Sequence, residues 1–429
     1  MLLIYTQKIT PRIIYIFKHI CTNMLGISIR FTSKIEEFIA HDGMKLSYGK
    51  QALGNELFIQ NTGLLMEQGL SEVEIKVQPW GESICFFPAT EKSDLPFDIF
   101  AASFYLLSRY EEYLPHVKDE YGRFPASESL AEQEGFLQKP VVDIWAYKFR
   151  EVLKQRFPDL QEKNRNFSVQ SIIAVEHAFS YRNKGFVRSL VGMLMDLVKL
   201  QFGKVLDRIQ VLLRLKKDPF NIFEDLILLI KQHNLKLMFL FQLSDFTVHD
   251  RNINPNRMPH RSVIKYVADY TKVGLLLGYY ALGNIKTLRK EKLRLEEIVH
   301  SPLQAVLNSK YNLSLPEHYN NLTELEIPDD YSMGYPEAYG FRAGTCTPFL
   351  FYDINTEVTT PLKIHPYVLN SNVLEKESTG KMKSEIAKIM QDVKSVAGNF
   401  NAIFKNQDFS DYSDKELYYS FLKQIHEIK

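Results

Sequence analysis

The chain has 429 residues, more than one hydrophobic core usually serves, so two domains of unequal size are expected. Hydrophobic residues make up 45% and charged residues 24%, an ordinary globular balance that leaves little room for extended disorder. With 52 basic against 51 acidic residues the net charge is +1, so no global field draws the chain to nucleic acid or to anionic lipid.

Cys21, Cys85 and Cys346 lie far apart with no CxxC, which excludes a disulfide framework and a cysteine zinc site of the usual spacing, and fits a reducing compartment. At the N-terminus Lys8, Arg12, Lys18 and His19 interrupt every apolar run that a signal peptide would need, so a short strand and then a helix are expected. Later apolar runs such as Leu226–Ile230 fall far short of the roughly 18 residues of a membrane span. A cytoplasmic protein without a membrane span is the expectation.

Between Ile27 and Pro88 short β-rich runs (ISIRFTS, ELFIQ, VEIKVQPW, SICFFP) are divided by turn residues, and helical spacing follows from Phe97 to Leu114 and from Val141 to Phe157. This predicts an N-terminal α+β domain over 1–165. Polar residues Gln161 to Asn166 form a linker, after which FSVQSIIAV reads as a buried strand opening a second domain, 166–429. From Gly185 to Lys217 apolar residues recur at three to five, predicting one broken helix or two. A barrel-covering insertion is preferred there over a membrane-surface helix. Strand and helix patterns then alternate: strand Leu235–Leu243, helix Ser262–Tyr270, strand Val273–Tyr280, helix Ile285–His300. Such alternation implies parallel strands, with chemistry at their C-terminal ends.

Tyr331-Ser-Met-Gly-Tyr335 and Gly340-Phe-Arg-Ala-Gly-Thr-Cys-Thr-Pro-Phe349 resemble the arginine-bearing motif of polysaccharide deacetylases of the NodB-like superfamily, from a branch with an uncharacterised N-terminal domain. The resemblance implies a distorted β/α barrel, a divalent metal such as zinc, and hydrolysis of an N-acetyl group on an amino sugar. Metal-polarised water, a carboxylate base and an acid for the leaving amine are what that reaction needs. The carboxylate motif reads Ala174-Val175-Glu176, so the base position holds an alanine and only Glu176 keeps a carboxylate. Strand alternation is expected to keep the adjacent His177 out of the site that Glu176 enters. After Val273-Gly274-Leu275, Leu276 stands in place of the metal histidine, and Lys405 in place of the acid histidine. With no metal set left, no cofactor is expected. Arg342 remains, expected to pair with Glu176, to bind an anionic group, or to tie the Asp329-Asp330 loop to the barrel, with Gly340 and Gly344 as turn glycines beside it.

The resemblance therefore implies a deacetylase-like protein with an impaired site, associated with carbohydrate or an amino-sugar glycan, its groove lined by Tyr279, Tyr280, Tyr331 and Tyr335. Glu176, Arg342 and Lys405 are the candidate catalytic remnants. His177 and His365, which follows a predicted strand, are candidate binding residues. One alternative is an active hydrolase with a relocated site drawn from Glu176, His177, His365, His249-Asp250 and His260. Another is a protein-interaction module using the N-terminal domain and the 185–217 helices.

Overall fold

The first strand, β1 (Leu2–Tyr5), is an apolar LLIY run and occupies an inner position of a four-stranded sheet, as expected for a strand covered on both faces. Its partners are β2 (Ile29–Thr32), β3 (Lys45–Gly49) and β4 (Leu57–Gln60), in the order β2-β1-β3-β4 and all parallel. The parallel pairing makes this region α/β rather than α+β. The chain returns from β1 to β2 through the helix Pro11–Phe17, started by Thr10, whose hydroxyl accepts from the Ile13 amide. The helices Ile99–Leu107 and Val141–Arg156 form where helical spacing predicts them, and Phe17 stacks on Phe100 with ring centroids 3.5 Å apart. A hairpin, β5 (Gln78–Trp80) and β6 (Ser83–Cys85), precedes both helices.

The computed structural model describes residues 1–161, 165–250, 253–374, 379–410 and 415–427. It forms two compact units, one comprising 1–168 and 313–400, the other 169–312 and 401–429. A long return segment after the central strands rejoins the first unit.

In the second unit β7 (Ser168–Val175), β8 (Leu237–Gln242), β9 (Lys272–Leu277) and β10 (Ala305–Asn308) are successive parallel neighbours joined through helices. Each is a nearly continuous apolar run, the signature of a sheet buried on both faces. Gly274 is required by this packing, because a Cβ there would come within 2.3 Å of the Ala305 carbonyl oxygen. The Gly185–Lys217 segment forms two helices, Phe186–Val198 and Phe202–Leu212, and no residue of the first is buried. The expected covering role is not seen: its apolar face lies open.

The return segment holds β11 (Asp329–Asp330), β12 (Phe349–Asp353), β13 (Val358–Ile364) and β14 (Leu369–Asn370), with β13 antiparallel to β12 and parallel to β11. Finally β15 (Asn399–Lys405) lies beside β7. The protein is thus mixed α/β with a parallel-rich sheet, and among the described residues of the second unit the row β10-β9-β8-β7-β15 has no closing pair. No described helix is long and apolar enough to cross a membrane.

Candidate functional site

The C-terminal ends of β7, β8 and β10 and the loop after β8 enclose a cavity of about 270 Å³. Glu176 and His177 follow β7, Gln242 ends β8, Val248, His249 and Asp250 come from the next loop, and Ser309 and Lys310 follow β10. Glu176 and His177 both line it, contrary to the expected alternation. β7 ends at Val175, and beyond the last paired residue the two-residue alternation no longer holds.

Asp250 is buried, its carboxylate accepting from Gln242 Nε2 at 2.7 Å and from the Tyr279 amide at 2.9 Å. Burial raises its pKa from the ordinary aspartate value. Burial, with Lys184 nearby, holds the His177 imidazole below its ordinary value, so it is neutral near pH 7. Lys310 Nζ lies 3.5 Å from Glu176, and Lys310 and Tyr311 both adopt φ of 55°. Two successive left-handed non-glycine residues are costly backbone, and here they follow β10 where the chain passes the cavity. His177 Nδ1 and Ser309 Oγ are buried with no hydrogen-bond partner among the described residues, and Ser309 is only 3% exposed. Buried polar atoms normally have a partner, from the protein or from ordered water. The His249 ring stacks on Tyr279 with centroids 4.2 Å apart, and Tyr280 meets both edge-on.

Behind the cavity Glu291 accepts from the Gly278 amide at 3.0 Å, and burial pushes its carboxyl up to about 8. Gly278 is the only residue that fits there, since a Cβ would lie 2.6 Å from Ser244 Cβ and 2.7 Å from Glu291 Oε1.

The residues present do not suit the divalent metal that the sequence resemblance implies. Continuing the register of β7 with β8 sets Glu176 beside Gln242, and Gln242 pairs with Leu276. That row offers one carboxylate, one amide already donating to Asp250, and one alkyl group. Among the described residues no three His, Cys, Asp or Glu side chains are grouped to hold an ion.

The other candidates lie in the first unit or outside the cavity lining. Arg342 is 1% exposed and pairs with Glu112, not Glu176: Nε donates to Oε1 at 2.8 Å and Nη2 to Oε2 at 2.7 Å. Its Nη1 donates to the Gly334 carbonyl, and Arg109 donates to Glu111, to Glu112 and to the Arg342 carbonyl. Burial alone would raise the Glu112 carboxyl, but Arg342 and Arg109 bring it down to about 2. Tyr335 is buried under the Arg342 guanidinium, so it lines no groove. Gly340 and Gly344 have positive φ as expected of turn glycines. Tyr331 stacks on His365, whose Nε2 lies 2.8 Å from Asp329 Oδ1. His260 is a buried helix residue held down to about 4 by burial. Lys405 ends β15, half-buried, with its amide donating to Asp408, and does not line the cavity.

Gln242, Ser309, Lys310 and Glu112 escaped the sequence reading. The run Ala305–Asn308 was the available signal for two of them, because a parallel strand announces that the next residues stand at a site edge.

Residues 2–158 match a family described only as of unknown function, DUF7033. No curated protein matches the chain. Among solved structures, a protein assigned as a polysaccharide deacetylase from Mycobacterium smegmatis is similar at 12% identity and a TM-score of 0.40, covering 62% of this chain and 86% of that one. A polysaccharide deacetylase from Bacillus cereus is similar at 10% identity and a TM-score of 0.30, covering 62% and 88%. Both likenesses are below the level at which a shared fold is established.

Proposed function

We propose that the cavity at the ends of β7, β8 and β10 binds one small hydroxyl-rich ligand of carbohydrate type, on a β/α scaffold of deacetylase ancestry that has lost its metal-dependent hydrolytic set. The observation carrying this is the pair of unpartnered buried atoms, His177 Nδ1 and Ser309 Oγ, beside the Glu176–Lys310 pair. Vicinal hydroxyls can donate to Glu176 and accept from Lys310 at once, and a neutral His177 takes either role. The His249–Tyr279 stack adds the aromatic surface on which the apolar face of a pyranose packs. The volume is at the lower edge for small-molecule sites, which fits a single ring better than a chain.

The test is calorimetric titration of the full chain with N-acetylglucosamine, glucosamine, glucose and short chitin oligomers. Saturable binding that Lys310→Met weakens at least about 10-fold is expected, since a charge-assisted hydrogen bond contributes roughly 1.5–3 kcal/mol. Absence of heat with every sugar would sink the proposal.

A second reading, hydrolysis through a relocated site, is favoured by one observation: Glu176, His177, His249 and Asp250 do converge on this cavity. A neutral imidazole there could act as a general base. Acetate release from acetylated amino sugars that His177→Gln abolishes would establish it. Release that His177→Gln leaves unchanged would exclude His177 as the base, and no release would leave binding alone.

A further inference from the structure

The helical hairpin in the second unit is amphipathic with its apolar face turned outward. Phe186, Leu190, Leu194 and Val198 recur every four residues, Val187 and Val191 stand beside them, and all six are exposed, Phe186 by 81% and Val198 by 83%. Phe202 and Leu206 in the second helix, and Leu213 just past its end, continue the exposed surface. Scattered exposed leucines are ordinary, but a contiguous apolar face of two helices is a place where something docks.

Charge identifies the occupant. Residues 185–217 carry seven basic and two acidic side chains, a net +5 in a chain of net +1. Asp196 and Asp207 are half-buried in ion pairs of 2.6 Å with Arg208 and Lys216. Arg188, Lys199, Lys204 and Arg214 are exposed, while Lys217 pairs with Glu224 and Asp225 just beyond, so the charge that the two helices themselves offer to solvent is of one sign. A second copy of this chain would bring +5 against +5. An anionic lipid surface instead satisfies both halves of the pattern, taking the apolar side chains into its acyl boundary and the basic ones among its headgroups. Neither helix could cross a bilayer, since 13 and 11 residues span far less than its core.

We infer that this hairpin seats the protein on the surface of an anionic membrane. The surface also reaches the cavity loop. Arg188 lies 4.2 Å over the Phe246 ring, and Phe246 and Val248 are exposed just before His249 and Asp250. A ligand entering the cavity would thus be met close to the headgroups. The inference does not depend on which ligand the cavity takes.

The test is flotation of the full chain with vesicles of phosphatidylcholine alone and of phosphatidylcholine mixed with phosphatidylglycerol. Binding to the mixed vesicles, weak binding to the neutral ones and loss of binding at high salt are expected. Lys199→Glu/Lys204→Glu/Arg214→Glu should weaken binding by roughly 100-fold or more, from about one basic contact's worth per residue. Leu194→Asp/Val198→Asp should abolish it while leaving the far-ultraviolet circular dichroism unchanged, because both side chains are exposed. The inference falls if the native chain floats with neither vesicle. It falls equally if charge reversal leaves flotation unchanged, or if the chain is a dimer in sedimentation that Leu194→Asp/Val198→Asp makes monomeric without any lipid binding. In that last case the face belongs to a second copy of the chain.

Discussion

The Arg342 cluster and the strand-end cavity are both built from buried charge, yet they differ in what is left over. Around Arg342 two guanidiniums face two carboxylates, Glu111 and Glu112, and carbonyl oxygens take further donors. Around the cavity Asp250 is satisfied by Gln242 and Tyr279, but His177 Nδ1 and Ser309 Oγ have no partner among the described residues. A completed network rigidifies the fold, whereas buried polar atoms left over need water or a ligand to satisfy them. The arginine that the motif singles out is therefore structural, while the proposed site joins Glu176, which the carboxylate motif marked, to Gln242, Ser309 and Lys310, which no motif marked.

Breaking the completed network should give the largest effect. Glu112→Ala leaves two buried guanidiniums short of a partner, and a loss of about 3–5 kcal/mol is expected from urea unfolding. A change within 1 kcal/mol would mean that the network is not structural. Gly278→Ala comes next, forcing a Cβ against Ser244 and Glu291, with an expected cost of roughly 1–3 kcal/mol and weakened sugar binding.

The two regions should also respond oppositely to pH. Glu112 is depressed to about 2 from an unfolded value of about 4.3, so its contribution is present above pH ~4.3 and is lost as pH falls toward 2. Glu291 is raised to about 8, so the folded state holds its proton more tightly than the unfolded chain, and stability is lost as pH rises from ~4.3 through 8. Glu291→Gln should then raise the melting temperature relative to the native chain above pH 8 and change it little at pH 4. Equal shifts at both pH values would refute the assignment. The smallest stability effect belongs to Lys310→Met, expected within about 0.5 kcal/mol because its pair with Glu176 is partly exposed. A large loss of stability would move Lys310 from the ligand to the fold.

Most strands were legible because their signal is local. LLIY, FSVQSIIAV and the run around Leu237–Gln242 announce buried parallel strands by composition alone. β3, a five-residue run KLSYG that alternates polar and apolar residues, was not among the strands expected from the sequence, and with it went the parallel character of the first sheet. At the site, Glu176 was legible from its place at a strand end. Its inclusion with His177 was not, since the strand stops one residue before them.

The sequence by itself determined the alternation of strand and helix, the stripe of apolar residues on the 186–213 hairpin and the lack of a histidine at Leu276. All three are local properties of period and residue type. Only the tertiary structure decided that the hairpin's apolar stripe faces outward, that Lys310 reaches Glu176, and that Arg342 answers to Glu112, which lies 230 residues away in the chain. Such pairings depend on which elements the fold brings together, and no spacing along one segment encodes them.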